Sequence, residues 1–151
     1  MMVYMRRSRR QLCDADIVEA ESALGLEFPT VYREFLLTHN GGRPRTCTFP
    51  IADNPSDSHS MVDFFFYLKD SGTYNLLRWA RRLKGRVPAE LLPIAIDPGG
   101  NLICLAVSGC DLGQVCFWDH EEEADEGKAP TYDNIYAVAD SFDQFLGSLT
   151  E

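Results

Sequence analysis

Apolar positions cluster most densely in three short runs, Leu92–Ile96, Leu102–Val107 and Val115–Trp118. Two polar clusters divide them, Asp97-Pro98-Gly99-Gly100-Asn101 and Ser108 to Gly113. Short runs rich in β-branched and aromatic residues, bounded by Gly, Pro, Asn and Asp, predict antiparallel strands joined by turns. The three runs therefore predict a meander. Its first strand is almost wholly apolar and is expected to be buried on both faces.

Elsewhere the spacing changes to that of helices. Ile17, Ala20 and Leu24 share one face, with Asp16 and Glu19 placed as a capping box and Gly25 as the stop. Pro29 suits the first turn of a second helix, whose stripe is Val31, Tyr32, Phe35, Leu36 and His39 and whose end is Asn40-Gly41-Gly42. Leu76, Leu77, Ala80 and Leu83 predict the inner face of a third helix over 74–84, with Arg78, Arg81 and Arg82 pointing away. Ser141 with Gln144 forms a second capping box, opening a last helix on Phe142, Phe145, Leu146 and Leu149.

Cys47 to Ile51, Met61 to Leu68 and Ile135 to Ala139 read as further strands, and 53–60 as an exposed polar loop. The order α-α-β-β-α-β-β-β-β-α predicts an α+β fold, mainly an antiparallel sheet with helices packed around it. Residues 16–151 are expected to form one domain. Residues 1–15, with Arg6, Arg7, Arg9 and Arg10, are expected to be a flexible basic arm.

Several segments resemble the SUKH superfamily in its Smi/Knr branch. They are Leu26-Glu-Phe-Pro-Thr-Val-Tyr-Arg-Glu-Phe-Leu-Leu-Thr-His-Asn-Gly-Gly42, then Leu91-Leu-Pro-Ile-Ala-Ile-Asp-Pro-Gly-Gly-Asn-Leu-Ile-Cys-Leu105, then Gly113-Gln-Val-Cys-Phe-Trp-Asp-His-Glu121, then Ile135 to Leu146. They follow the family's order and cover roughly 16–149. Within them Pro29, Asn40, Gly41, Gly42, Pro93, Gly99, Gly100, Asn101 and Ser141 are the residues of structural motif. The resemblance implies an α+β domain that acts by binding another protein. Bacterial members are commonly immunity proteins against secreted toxins, and eukaryotic relatives regulate cell-wall synthesis.

Charge sharpens the expectation. The 151 residues carry 14 Lys and Arg against 23 Asp and Glu, a net charge of −9. Phosphate repels such a chain, so nucleic acid is a poor partner and a basic protein a good one. The densest acidic stretch runs from Asp119 to Glu126. Asp119, Glu121, Glu122, Glu123, Asp125 and Glu126 are therefore the expected partner-binding residues, with Trp118 and Tyr132 as aromatic anchors.

No catalytic constellation is expected. Nucleophile-elbow, Walker, zincin and dinucleotide motifs are absent. Asp119 and His120 are neighbours in sequence, which on a strand sends their side chains apart. The spacings of Cys104, Cys110, Cys116 and His120, and of Asp53, Asp57 and His59, match no metal site. No cofactor is expected. Five cysteines without a Cys-x-x-Cys, and no apolar run of about 20 residues, lead to an expected cytoplasmic location. The expected function is neutralisation of a basic toxin domain, a nuclease among the candidates. The alternatives are a scaffold of the cell-wall-regulator type or, further off, a small-molecule binder or enzyme.

Overall fold

The computed structural model describes residues 3–55 and 58–151. Met1 and Met2 of the expected arm, and Ser56 and Asp57 of the expected loop, lie outside the described residues. The elements run β1 (Met5–Arg6), α1 (Asp14–Leu24), α2 (Thr30–Thr38), β2 (Arg43–Pro44), β3 (Thr48–Pro50), β4 (His59–Met61), β5 (Phe64–Phe65), α3 (Leu76–Arg82), β6 (Leu91–Ile96), β7 (Leu102–Ala106), β8 (Val115–Trp118), β9 (Ile135–Ala139) and α4 (Phe142–Ser148).

The meander is the middle of a five-stranded antiparallel sheet of order β5-β6-β7-β8-β9. Leu102 stands opposite Trp118, Ile103 opposite Phe117 and Cys104 opposite Cys116. Every residue of β7 is buried, as is every residue of β6 except Ile96. The register of β6 slips between Pro93 and Ala95. Pro93 has no N–H to give the ladder, so a bulge is where a proline in an interior strand belongs.

The two sheet faces differ. Phe117 and Phe65 look toward an aromatic cluster made by α2, α4 and β3, where Phe49 lies 6.3 Å from Phe117 and Phe35 lies 5.0 Å from Phe65. Phe145 closes this cluster at 5.4 Å from Phe49. Side chains alternate along a strand, so Cys116 and Trp118 take the opposite face. There α3 packs on β6, and Trp79 stacks on Phe66 at 5.2 Å with the rings 6° from parallel.

Three local expectations are corrected. Helix α1 starts earlier than Asp16: Cys13 is the cap, and Asp16 reaches back to accept the Cys13 N–H at 3.0 Å. The expected polar loop ends in a strand, because Thr48–Pro50 supplies a ladder for His59–Met61. The basic arm is docked: β1 pairs with β2, Leu12 is buried, and Arg9 ion-pairs with Asp70 at 2.6 Å beneath the Tyr67 ring. A cation lying on an aromatic face beside a carboxylate is held by two attractions, which composition alone did not show.

Asn40 joins the pieces. Its amide donates to the Arg10 and Leu68 carbonyls at 3.0 and 2.9 Å, and its oxygen accepts the Leu68 N–H at 2.8 Å. Gly41 follows with φ +68°, and a Cβ there would sit 2.7 Å from Tyr67 Cβ and 2.8 Å from the Phe65 carbonyl oxygen. Only glycine combines that dihedral with that approach. Ser141 caps α4 by accepting the Gln144 N–H at 3.0 Å, while Gln144 returns to the Asp140 N–H.

Asp16 gives one pH prediction. The Cys13 backbone N–H, against the opposing effect of burial, and then the Cys13 thiol and Arg10 hold its carboxyl below the ordinary value of 3.8. A carboxyl depressed on folding adds stability above its unfolded pKa and loses it as pH falls through the folded one. Asp16→Asn is expected to flatten the acid limb of stability below pH about 4, read as urea midpoints from pH 2 to 7; an unchanged limb contradicts the cap assignment.

Candidate functional site

The acidic segment is anchored by the turn between β6 and β7. The buried Asp97 carboxylate accepts the N–H groups of Gly99 and Asn101 at 2.9 and 2.8 Å, the Asn101 amide at 3.1 Å and the Ser60 hydroxyl at 2.9 Å. An Asp closing its own turn in this way fixes the loop without help from a ligand. Asn101, so oriented, accepts the His120 N–H at 3.0 Å, and the His120 ring bonds the Gly99 carbonyl through Nε2 at 2.9 Å.

After β8 the chain enters one 3-10 turn, His120–Glu122. Asp119 caps it by accepting the Glu121 N–H at 3.0 Å. Asn134 clasps the same point: Asp119 N–H donates to its carbonyl at 3.0 Å, and its amide donates to the Asp119 carbonyl at 2.9 Å. Asp119 and His120 thus serve different partners and make no acid–base pair.

The eight expected contact residues fall into three groups. Trp118, at 2% exposure, and Asp119, at 9%, are buried and have little surface to offer, which corrects their assignment as contacts. Trp118 fills the second sheet face under the Arg86 guanidinium, 5.9 Å from its ring. Glu122, Glu123 and Tyr132 already have partners within the chain. Tyr136 donates its hydroxyl to Glu122 at 3.0 Å, and Arg86 makes a two-point contact with Glu123 at 3.2 and 2.8 Å. The Tyr132 hydroxyl donates to Glu90. Glu121, Asp125 and Glu126 remain: they are exposed and have no ion pair among the described residues. Asp125 and Glu126 edge a cleft of about 560 Å³ that Arg86 and Lys128 also line.

Sequence reasoning missed Arg86 and Glu90 as partners of this surface. Each bonds across a large sequence gap, 37 residues to Glu123 and 42 to Tyr132, so no local pattern announces either pair.

Two of the five thiols, Cys104 and Cys116, lie inside the sheet. Burial, with a smaller contribution from Asp111, pushes Cys116 up to about 12, and burial first and then Cys116 raise Cys104 well above 9.0. Both stay protonated near neutral pH, and the thiol is a poor nucleophile and metal ligand beside the thiolate. Among the described residues no group of three or more His, Cys, Asp or Glu converges to hold a metal ion. Among them, too, no helix is long and apolar enough to cross a membrane.

Comparison with known proteins agrees with this anatomy. Residues 12–148 match the sequence profile described as "SMI1 / KNR4 family (SUKH-1)". The chain is also 28% identical over 149 residues to the SPbeta prophage-derived uncharacterized protein YokK of Bacillus subtilis (strain 168), spanning 88% of this chain and 72% of that relative.

Proposed function

Because the chain belongs to the SMI1 / KNR4 family (SUKH-1), we propose that it is a non-enzymatic protein-binding domain acting in the cytoplasm as a bacterial immunity protein, which neutralises a cognate secreted toxin by covering it. The carrying observation is the family match across residues 12–148. The prophage origin in the name of the Bacillus subtilis relative supports a bacterial setting over a eukaryotic cell-wall regulator.

The electrostatics supply the partner's chemistry. A net charge of −9 attracts a basic domain from a distance, and the free carboxylates of Glu121, Asp125 and Glu126 orient it. A nuclease toxin suits this surface, since a cleft built to hold phosphate is basic. A stable complex buries about 1,600 Å² in total, so the acidic segment is part of a wider interface.

The test is capture of partners by the tagged protein from lysate of its own host, washed at rising salt and read by mass spectrometry. The expected result is a basic toxin-like domain that leaves as salt rises. Retention of resident cell-wall enzymes instead would replace this reading with the scaffold.

A further inference from the structure

The second sheet face is covered only in part. Helix α3 lies on β6, but over β8 and β9 the face opens into a groove of about 440 Å³. Leu91, Ala106, Cys116, Ile135 and Ala137 line it. Its floor sits low because Cys116 stands opposite Ala137 in the ladder, small residue against small residue. Ala137 is exposed in the middle of a strand.

The rim has one sign of charge. Glu90 and Asp111 line the groove, and no Lys, Arg or His is among its described lining residues. Large apolar side chains also stand exposed here: Tyr132, a lining residue at 49% exposure, and Leu112, at 58%, in the turn that carries Asp111. Apolar floor, aromatic wall and paired rim carboxylates are the features of an anchor pocket for a cationic segment.

We propose that this groove is the anchor site for the protein partner, taking one large apolar or aromatic side chain whose neighbouring Lys or Arg pairs with Glu90 and Asp111. The proposal rests on the protein-binding reading and adds a second contact, apart from the acidic segment. The acidic segment steers the partner, and the groove holds it. Tyr132 belongs to both ideas, as an anchor read from sequence and as the wall its bond to Glu90 makes.

A random dodecapeptide library displayed on phage, selected on the full chain, tests this without a known partner. Enriched peptides are expected to carry an aromatic residue or leucine within two positions of Lys or Arg. Ala137→Trp, which fills the groove from an exposed position, is expected to weaken them by about tenfold or more. Glu90→Gln with Asp111→Asn, which alters no apolar packing, is expected to weaken them several-fold and to reduce their salt dependence. Neutralising Glu121, Asp125 and Glu126 is expected to leave the equilibrium affinity of these short peptides within about twofold. Peptides that bind Ala137→Trp and the Glu90/Asp111 variant as tightly as the parent overturn the groove while leaving protein binding intact. A selection that enriches no peptide overturns the groove, and the protein-binding reading is then judged by the lysate capture.

Discussion

Asn40→Ala is expected to lower the unfolding free energy by about 3 kcal/mol or more. The side chain is 2% exposed and makes three hydrogen bonds, all to backbone groups. Truncation strands the Leu68 N–H and leaves the Leu68 and Arg10 carbonyls without this donor. Each buried group so abandoned costs about 1–3 kcal/mol. Asn40 also fixes the end of α2, where its own carbonyl accepts the Arg9 N–H at 2.9 Å. The loss is therefore expected to loosen the N-terminal arm as well. Urea titration of both proteins measures the first effect, and amide exchange at Met5 and Arg6 the second. A cost below about 1 kcal/mol would contradict the assignment, since that is the net worth of one ordinary hydrogen bond.

Neutralising the free carboxylates should act on rate. Glu121→Gln, Asp125→Asn and Glu126→Gln together are expected to slow association with the captured partner by about tenfold at low ionic strength, with dissociation little changed. Steering comes from charges that solvent does not already see cancelled, and these three have no ion pair among the described residues. Arg86→Gln with Glu123→Gln is the control: it removes a matched pair, so the net charge is unchanged and the effect on rate is small. The difference between parent and triple variant narrows toward 1 M salt, where the Debye length falls to about 3 Å. Stopped-flow association at several ionic strengths decides this. Equal rates for parent and triple variant at low salt would remove the electrostatic part of the account.

The meander, the four helices, the Gly25 stop and the Ser141 cap were legible because each is a local pattern: a period of two or 3.6, a turn residue, a glycine stop. Pro93, Gly99, Gly100 and Ser141 do in the structure what such residues do anywhere. The errors came where a distant segment completes an element. His59–Met61 is a strand only because Thr48–Pro50 offers a ladder. The arm is docked because Asp70 and Tyr67 meet Arg9 from about sixty residues away. The site was legible as charge and not as geometry. Composition marked the segment from Asp119 to Glu126, but which carboxylates are free depends on Arg86 and Tyr136, and Trp118 looked like an anchor until the sheet buried it. The groove over β8 and β9 had no sequence signal, because alternation does not reveal which face a helix leaves uncovered.

The central claim, that this chain disarms a toxin by binding it, is tested most directly by protection from the captured basic domain. That domain is expressed under an inducible promoter in a bacterial host, with and without this protein. Arrested growth without the protein, restored growth with it and a stable complex of the two on gel filtration are the predicted results. A captured domain that is harmless alone, or that kills equally well in the presence of this protein, would contradict the claim.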